Sequence, residues 1–172
     1  MYRVFCFRRL AVVVEGIDFL DPRLAGEPGA RERGVRVELR TLVEAAGEGS
    51  IYASREVRLQ RGICRFDLLE SRPGAADRMH WHPAMSSGEP GERVFDPDLS
   101  RAPAGWLCDR LHDVTPLLVQ AGLDPVEYTA DIAALAEAAG EIVACVSQVL
   151  GEARRAPWPA VCRDARGLAP IR

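Results

Sequence analysis

Residues 62–83 read GICRFDLLESRPGAADRMHWHP, and two runs in that stretch alternate with a period of two. Such alternation marks half-buried strands. In the first run Cys64, Phe66 and Leu68 share one face and Arg65 and Asp67 the other. In the second, Met79, Trp81 and Pro83 share a face opposite Arg78, His80 and His82. Ser71-Arg72-Pro73-Gly74-Ala75 lies between them. Proline pre-sets φ for the first central position of a turn, and glycine tolerates the positive φ of the second. A reversal centred on Pro73-Gly74 sets Phe66 against Trp81, Leu68 against Met79 and Cys64 against Pro83. On the reverse face Asp67 then meets His80, and Arg65 meets His82. A slip of one residue would set apolar side chains against polar ones, so the pattern itself selects this register.

The reverse face therefore gathers Asp67, His80, His82 and Arg65. Directly opposed Cβ atoms in a sheet lie about 5 Å apart, and alternate residues of one strand about 7 Å apart. Two imidazoles in a His-x-His on a strand can aim at one divalent ion. A carboxylate on the neighbouring strand can be a third ligand, or can orient a histidine through its other nitrogen. The plainer reading is a solvated strand face, on which cross-strand Asp–His and Arg–Asp pairs add about 0.2–1 kcal/mol each. His80-x-His82 resembles the metal motif of the cupins. The glutamate that should follow within a few residues is missing, Glu89 comes too late, no second motif follows, and the second half reads as helical. The chain is not assigned to that family.

Upstream, YRVFCF and LAVVV in residues 2–19 read as strand, interrupted at Arg8-Arg9 and ending near Gly16. Glu15, Asp18 and Asp21 form an acidic cluster there. Leu20 to Gly34 reads as a long loop. Val35 to Val43 alternates as a strand with one wet face carrying Arg36, Glu38 and Arg40. Gly47-Glu48-Gly49 turns the chain. Ile51 to Gln60 reads as another strand, Val57 and Leu59 inward, and Gly62 ends it or bends it as a bulge does.

Downstream, residues 84–102 read as a linking loop without periodicity. Asp96-Pro97-Asp98 within it can return a carboxylate to the histidine pair, although Asp-Pro serves equally as turn chemistry. Pro103 opens a helix with Trp106, Leu107, Leu111 and His112, and a short second helix follows to Gly122. His112 is either a helix-surface residue or a third imidazole for the hairpin. Asp124-Pro125-Val126-Glu127 is a helix start, with a capping residue, proline in the first turn and an acid at the third position. The helix extends to Arg154, and at about 1.5 Å per residue it is about 45 Å long. Tyr128, Ile132, Leu135, Ala139, Ile142, Val146 and Val149 make its apolar stripe.

These elements predict an α+β fold in a single domain over 1–172. An N-terminal antiparallel meander of about five strands occupies residues 1–83. Helices over 103–154 pack on it, and an irregular tail follows over 155–172, stapled back by Trp158. The chain has 172 residues, 48% hydrophobic and 27% charged, which suits a globular domain. A net charge of −3, and no arginine run beyond two residues, gives no nucleic-acid footprint. All 22 basic residues are arginine, which reads as the codon bias of a GC-rich, bacterial genome. Cys6, Cys64, Cys108, Cys145 and Cys162 form no C-x-x-C, no signal peptide is read, and free thiols in the cytoplasm are expected. Cys108 and His112 share a helix face as a candidate dyad. No apolar run reads as long enough to span a bilayer.

Two functions fit. One is a binding or assembly module, forming a homodimer or docking a protein through the 125–154 helix. It matches the absence of a Walker A, G-x-G-x-x-G, G-x-S-x-G or H-E-x-x-H motif. The other is a small metal-dependent or acid/base enzyme. It uses His80, His82 and Asp67 with a divalent metal, with Asp96, Asp98 and His112 as additional ligands. Arg65, Trp81 and Trp106 would line a ligand site. Convergence of the histidines with a carboxylate favours the second, and an exposed apolar stripe on the long helix favours the first.

Overall fold

Alternating β-branched and aromatic residues build five antiparallel strands in chain order: β1 (Tyr2–Cys6), β2 (Leu10–Leu20), β3 (Arg31–Glu44), β4 (Val57–Glu70) and β5 (His80–His82). A small hairpin, β6 (Met85–Ser86) and β7 (Glu89–Pro90), follows. The helices are α1 (Pro97–Arg101), α2 (Pro103–His112), α3 (Thr115–Gln120) and, after a single 3-10 turn at Pro125–Tyr128, α4 (Thr129–Arg155). The computed structural model describes residues 1–21, 30–44, 56–86 and 88–158. The fold is α+β, with the N-terminal sheet packed against the C-terminal helices.

Register sorts the sheet into cross-strand rows. Val14, Val37, Phe66 and Trp81 form one row, and Val12, Leu39 and Cys64 another. These rows face the helices and join Leu107 and Leu111 of α2, Leu118 of α3, and Leu135, Ile142 and Val146 of α4 in one core. The stripe on α4 is thus buried against the sheet and α2, apart from the half-buried Ile132. The rows between them are polar: Glu15, Arg36, Asp67 and His80 in one, Glu38, Arg65 and His82 in the next.

Several sequence expectations need correcting. β2 does not stop near Gly16 but runs to Leu20, paired with β3 as far as Arg31, so only part of the expected 20–34 loop is left. Asp18 pairs there with Arg31 and Arg33. Residues 22–29 of that loop, the Gly47-Glu48-Gly49 turn and Ile51 to Arg55 lie outside the described residues. Val57–Gln60 and Cys64–Leu68 are one strand, β4, with register shifts against β3 between Leu39 and Leu42, around the Arg40–Gly62 pair. Val57, expected inward, is 45% exposed at the first position of β4. The linking loop contains β6, β7 and α1, with Asp96 capping α1 by accepting the Asp98 N–H. Pro125–Arg155 is long and apolar enough by length and composition to cross a bilayer, contrary to expectation. Its many alanines raise the hydropathy, while Leu135, Ile142 and Val146 lie in the core of this fold. Trp158 does staple back, donating to the Ala153 carbonyl at 3.0 Å beneath the Arg33 guanidinium.

Candidate metal centre

The turn chemistry of 72–75 works as the residues imply. The Ala75 N–H donates to the Arg72 carbonyl at 3.1 Å, and Gly74 takes φ 79°. Ala76 also takes a positive φ of 52°, so the ladder opens between Leu68 and Met79. It closes again in the expected register, with Phe66 opposite Trp81, Asp67 opposite His80 and Arg65 opposite His82. Alternation then puts Asp67, His80 and His82 on the face away from α2 and α4.

That face is not wet here. Asp67 is 0% exposed, His80 2% and His82 4%. The β6–β7 hairpin supplies part of the cover: Met85 sits on Gly62, where an added Cβ would come within 2.6 Å of its sulfur. The Phe95 ring stands 5.6 Å from that of His80.

Both imidazoles are oriented by the backbone. His80 Nδ1 lies 2.7 Å from the Arg78 carbonyl, and His82 Nδ1 lies 2.9 Å from the Gly91 carbonyl. A carbonyl only accepts, so each Nδ1 carries the proton and each Nε2 of a neutral ring is a bare lone pair. The two Nε2 atoms lie 3.3 and 3.6 Å from Asp67 Oδ2. Neither approach has hydrogen-bond geometry, and both Nε2 atoms are buried without a partner. Burial holds the His82 pKa below its ordinary value despite the Gly91 bond, which favours the neutral ring. Two lone pairs thus face an anionic oxygen, an arrangement that a cation between them would relieve.

Asp67 is itself firmly ionised. Burial alone would raise its pKa, but the Arg65 hydrogen bond and the charges of Arg36 and Arg65 outweigh burial and hold it well below the usual carboxylate range. Arg65 Nε donates to Oδ2 at 2.7 Å and Arg36 Nε to Oδ1 at 3.0 Å. Arg36 is the member that sequence reasoning missed as a site residue. Its outward place on β3 was legible, but its partner depends on the register between β3 and β4, which are separated in the chain by residues 45–56. The Gly91 carbonyl was equally hidden, nine positions beyond His82 in an aperiodic stretch.

The other candidates fall elsewhere. Asp96 accepts the Trp106 indole N–H at 2.8 Å, and exposed Asp98 pairs with Arg101 at 2.7 Å. His112 turns its Nδ1 to the Cys108 carbonyl of its own helix, 3.1 Å away, with Cys108 Sγ at 3.5 Å. Trp81 and Trp106 pack edge to face at 5.5 Å with Phe66 beside them, on the helix side of the sheet, and the Arg110 guanidinium lies 3.4 Å from the Trp106 ring centre. They form core with Arg110, on the face opposite the histidines. Cys64 is buried and its thiol is pushed up to about 12 by burial, which keeps it protonated and unreactive.

Asp67, His80 and His82 each offer one ligand atom, and the three atoms lie within 4.8 Å of one another. At metal–ligand distances of about 2.0–2.1 Å, two ligands of a tetrahedral ion stand about 3.3–3.4 Å apart. The observed 3.3 and 3.6 Å carboxylate–imidazole separations are close to that edge. Comparison with known proteins returns no match: no family model, no curated protein and no solved structure matches the chain.

Proposed function

We propose that the protein is a metal-dependent protein whose centre is one divalent transition ion held by His80 Nε2, His82 Nε2 and an Asp67 carboxylate oxygen. The observation that carries this is the pair of buried, unpartnered Nε2 atoms aimed at one carboxylate, each ring fixed through Nδ1 by a backbone carbonyl. Carbonyl-bound Nδ1 is the outer-shell arrangement typical of metal-ligating histidine. Two imidazoles and a carboxylate suit zinc or iron(II) rather than calcium or magnesium, which prefer oxygen. Three protein ligands leave a fourth position, where an ion lowers the pKa of bound water or polarises a carbonyl. The apolar stripe of α4 is buried in the core with the sheet and α2, which favours this reading over assembly through the 125–154 helix.

The test is the metal content of protein purified without a polyhistidine tag or chelator, beside a His80→Ala/His82→Ala variant. The expected result is about one ion per chain in the parent and none in the variant, with both folded by circular dichroism. A parent that arrives empty and takes up no added zinc, iron or cobalt overturns the proposal.

A second reading, an Asp–His general base without metal, is favoured by one observation: both oxygens of Asp67 already accept from guanidinium groups. In that case a proton, not an ion, bridges Asp67 and an imidazole. Nitrogen-15 chemical shifts of the imidazoles separate the two, since a metal-bound Nε2 stays unprotonated at low pH where a proton-bridged one does not.

A further inference from the structure

We propose that the centre takes a small oxyanion, a carboxylate or a phosphate, on Arg36 and Arg65 beside the ion, and that cation and anion reinforce one another's binding. This rests on the metal reading above. With an ion in place, the single carboxylate of Asp67 faces a divalent cation and two guanidinium groups. The neighbouring acids do not restore balance. Glu38 stands opposite Arg65 in register but pairs with Arg40 at 2.6 Å. Glu15 stands opposite Arg36, yet the Arg36 guanidinium turns to Asp67. Positive charge left uncompensated in a largely buried site is strongly unfavourable, so a further anion is called for.

The geometry supplies its seat. A guanidinium has five N–H donors. Arg36 spends Nε on Asp67, and Arg65 spends Nε and Nη2. An ion sharing Oδ2 weakens the Arg65 bonds and frees donors further. Solvent reaches the cluster at these two residues: the Arg36 and Arg65 side chains are 26% and 15% exposed, against 0% for Asp67 and 3% for His80. An incoming molecule therefore meets the guanidinium groups first. Their planar fork matches the paired oxygens of a carboxylate or phosphate. A coordination position left open by the three protein ligands would be available to the same oxyanion.

The experiment uses Co2+-loaded protein, whose visible absorption reports changes at the ion, titrated separately with inorganic phosphate and with acetate. The expected result is a saturable spectral change with one anion at least. Arg36→Gln and Arg65→Gln each weaken it about tenfold while keeping Co2+, and saturating anion tightens Co2+ binding in the parent about fivefold or more by reciprocity. The stronger of the two titrations names the oxyanion class. Co2+ bound at one per chain with no anion-dependent change overturns the inference and leaves the metal centre standing, as does equal anion affinity in folded Arg variants. The parent's Co2+ affinity with and without anion decides the case if those variants fail to fold. Failure of Co2+ to bind at all removes the metal reading and this inference with it.

Discussion

Gly34 sits inside β3 with φ 154°, and a Cβ there would come within 2.0 Å of the Leu68 carbonyl oxygen on β4. The obstacle is backbone, which cannot swing aside. Gly34→Ala is expected to destabilise the fold by at least about 2 kcal/mol, through strain and a displaced ladder; urea unfolding of the two proteins measures it. A charge at the same end of the sheet gives a pH signature. Burial pushes the Asp18 pKa up, but hydrogen bonds from Arg31 and Arg33 and their charges outweigh it and bring it down to about 2. A carboxyl depressed on folding stabilises above its unfolded pKa of about 3.9, and that stability is lost as pH falls toward about 2. Asp18→Asn should therefore unfold at a urea midpoint that falls less steeply than the parent's from pH 5 to pH 2. Parallel curves would show that the Arg31–Asp18–Arg33 cluster is without thermodynamic weight.

At the scale of elements, α4 is positioned by buried acids at both ends, and the sequence marks neither as special. Near its N-terminus Asp131, 2% exposed, accepts the N–H groups of Arg9 and Leu10 at 2.7 and 3.0 Å, so the helix caps the β1–β2 turn. Near its C-terminus Arg154 pairs with Glu70, whose carboxylate also accepts the Gly74 N–H at 2.7 Å at the start of the hairpin turn. Asp131→Ala would leave two backbone donors unpaired beside the core. It is expected to lower stability by about 2–3 kcal/mol and to speed hydrogen exchange at Arg9 and Leu10; protection unchanged at those amides would refute the capping role. Helical periodicity predicted the start, length and apolar stripe of this helix, because local chemistry sets those features. The two acids could not be assigned, since their partners lie over eighty residues away in the chain.

For the whole molecule, the Asp67–His80–His82 part of the polar rows is covered rather than wet, while Arg36 and Arg65 beside it stay partly exposed. The β6–β7 hairpin, latched by His82 Nδ1 on the Gly91 carbonyl, closes over a face that alternation marks as outward. A ligand that binds the native state and not the unfolded chain stabilises the former by mass action. Under the proposed metal reading, EDTA should lower the melting temperature of the metal-loaded parent by several degrees, about 4 °C or more for a stabilisation of about 2 kcal/mol. The His80→Ala/His82→Ala variant should not respond to EDTA. Equal shifts in both proteins would place the chelator's effect outside this centre.

The chain's own pattern determined the α+β class, the long helix and the pairing of Phe66, Asp67 and Arg65 with Trp81, His80 and His82. Period, capping residues and a Pro-Gly reversal are local quantities, and local quantities are written in order along the sequence. Tertiary structure alone decided that Arg36 stands against Asp67, that the Gly91 carbonyl turns the His82 ring, and that the face is buried. Alternation separates two faces of a strand but does not say what covers either, and the β3–β4 register joins strands that residues 45–56 separate in the chain. The candidate site is therefore half legible. Its Asp67, His80 and His82 follow from one hairpin, while the two guanidinium groups and the closed, low-dielectric setting that give those residues their chemistry come from chain segments meeting in space.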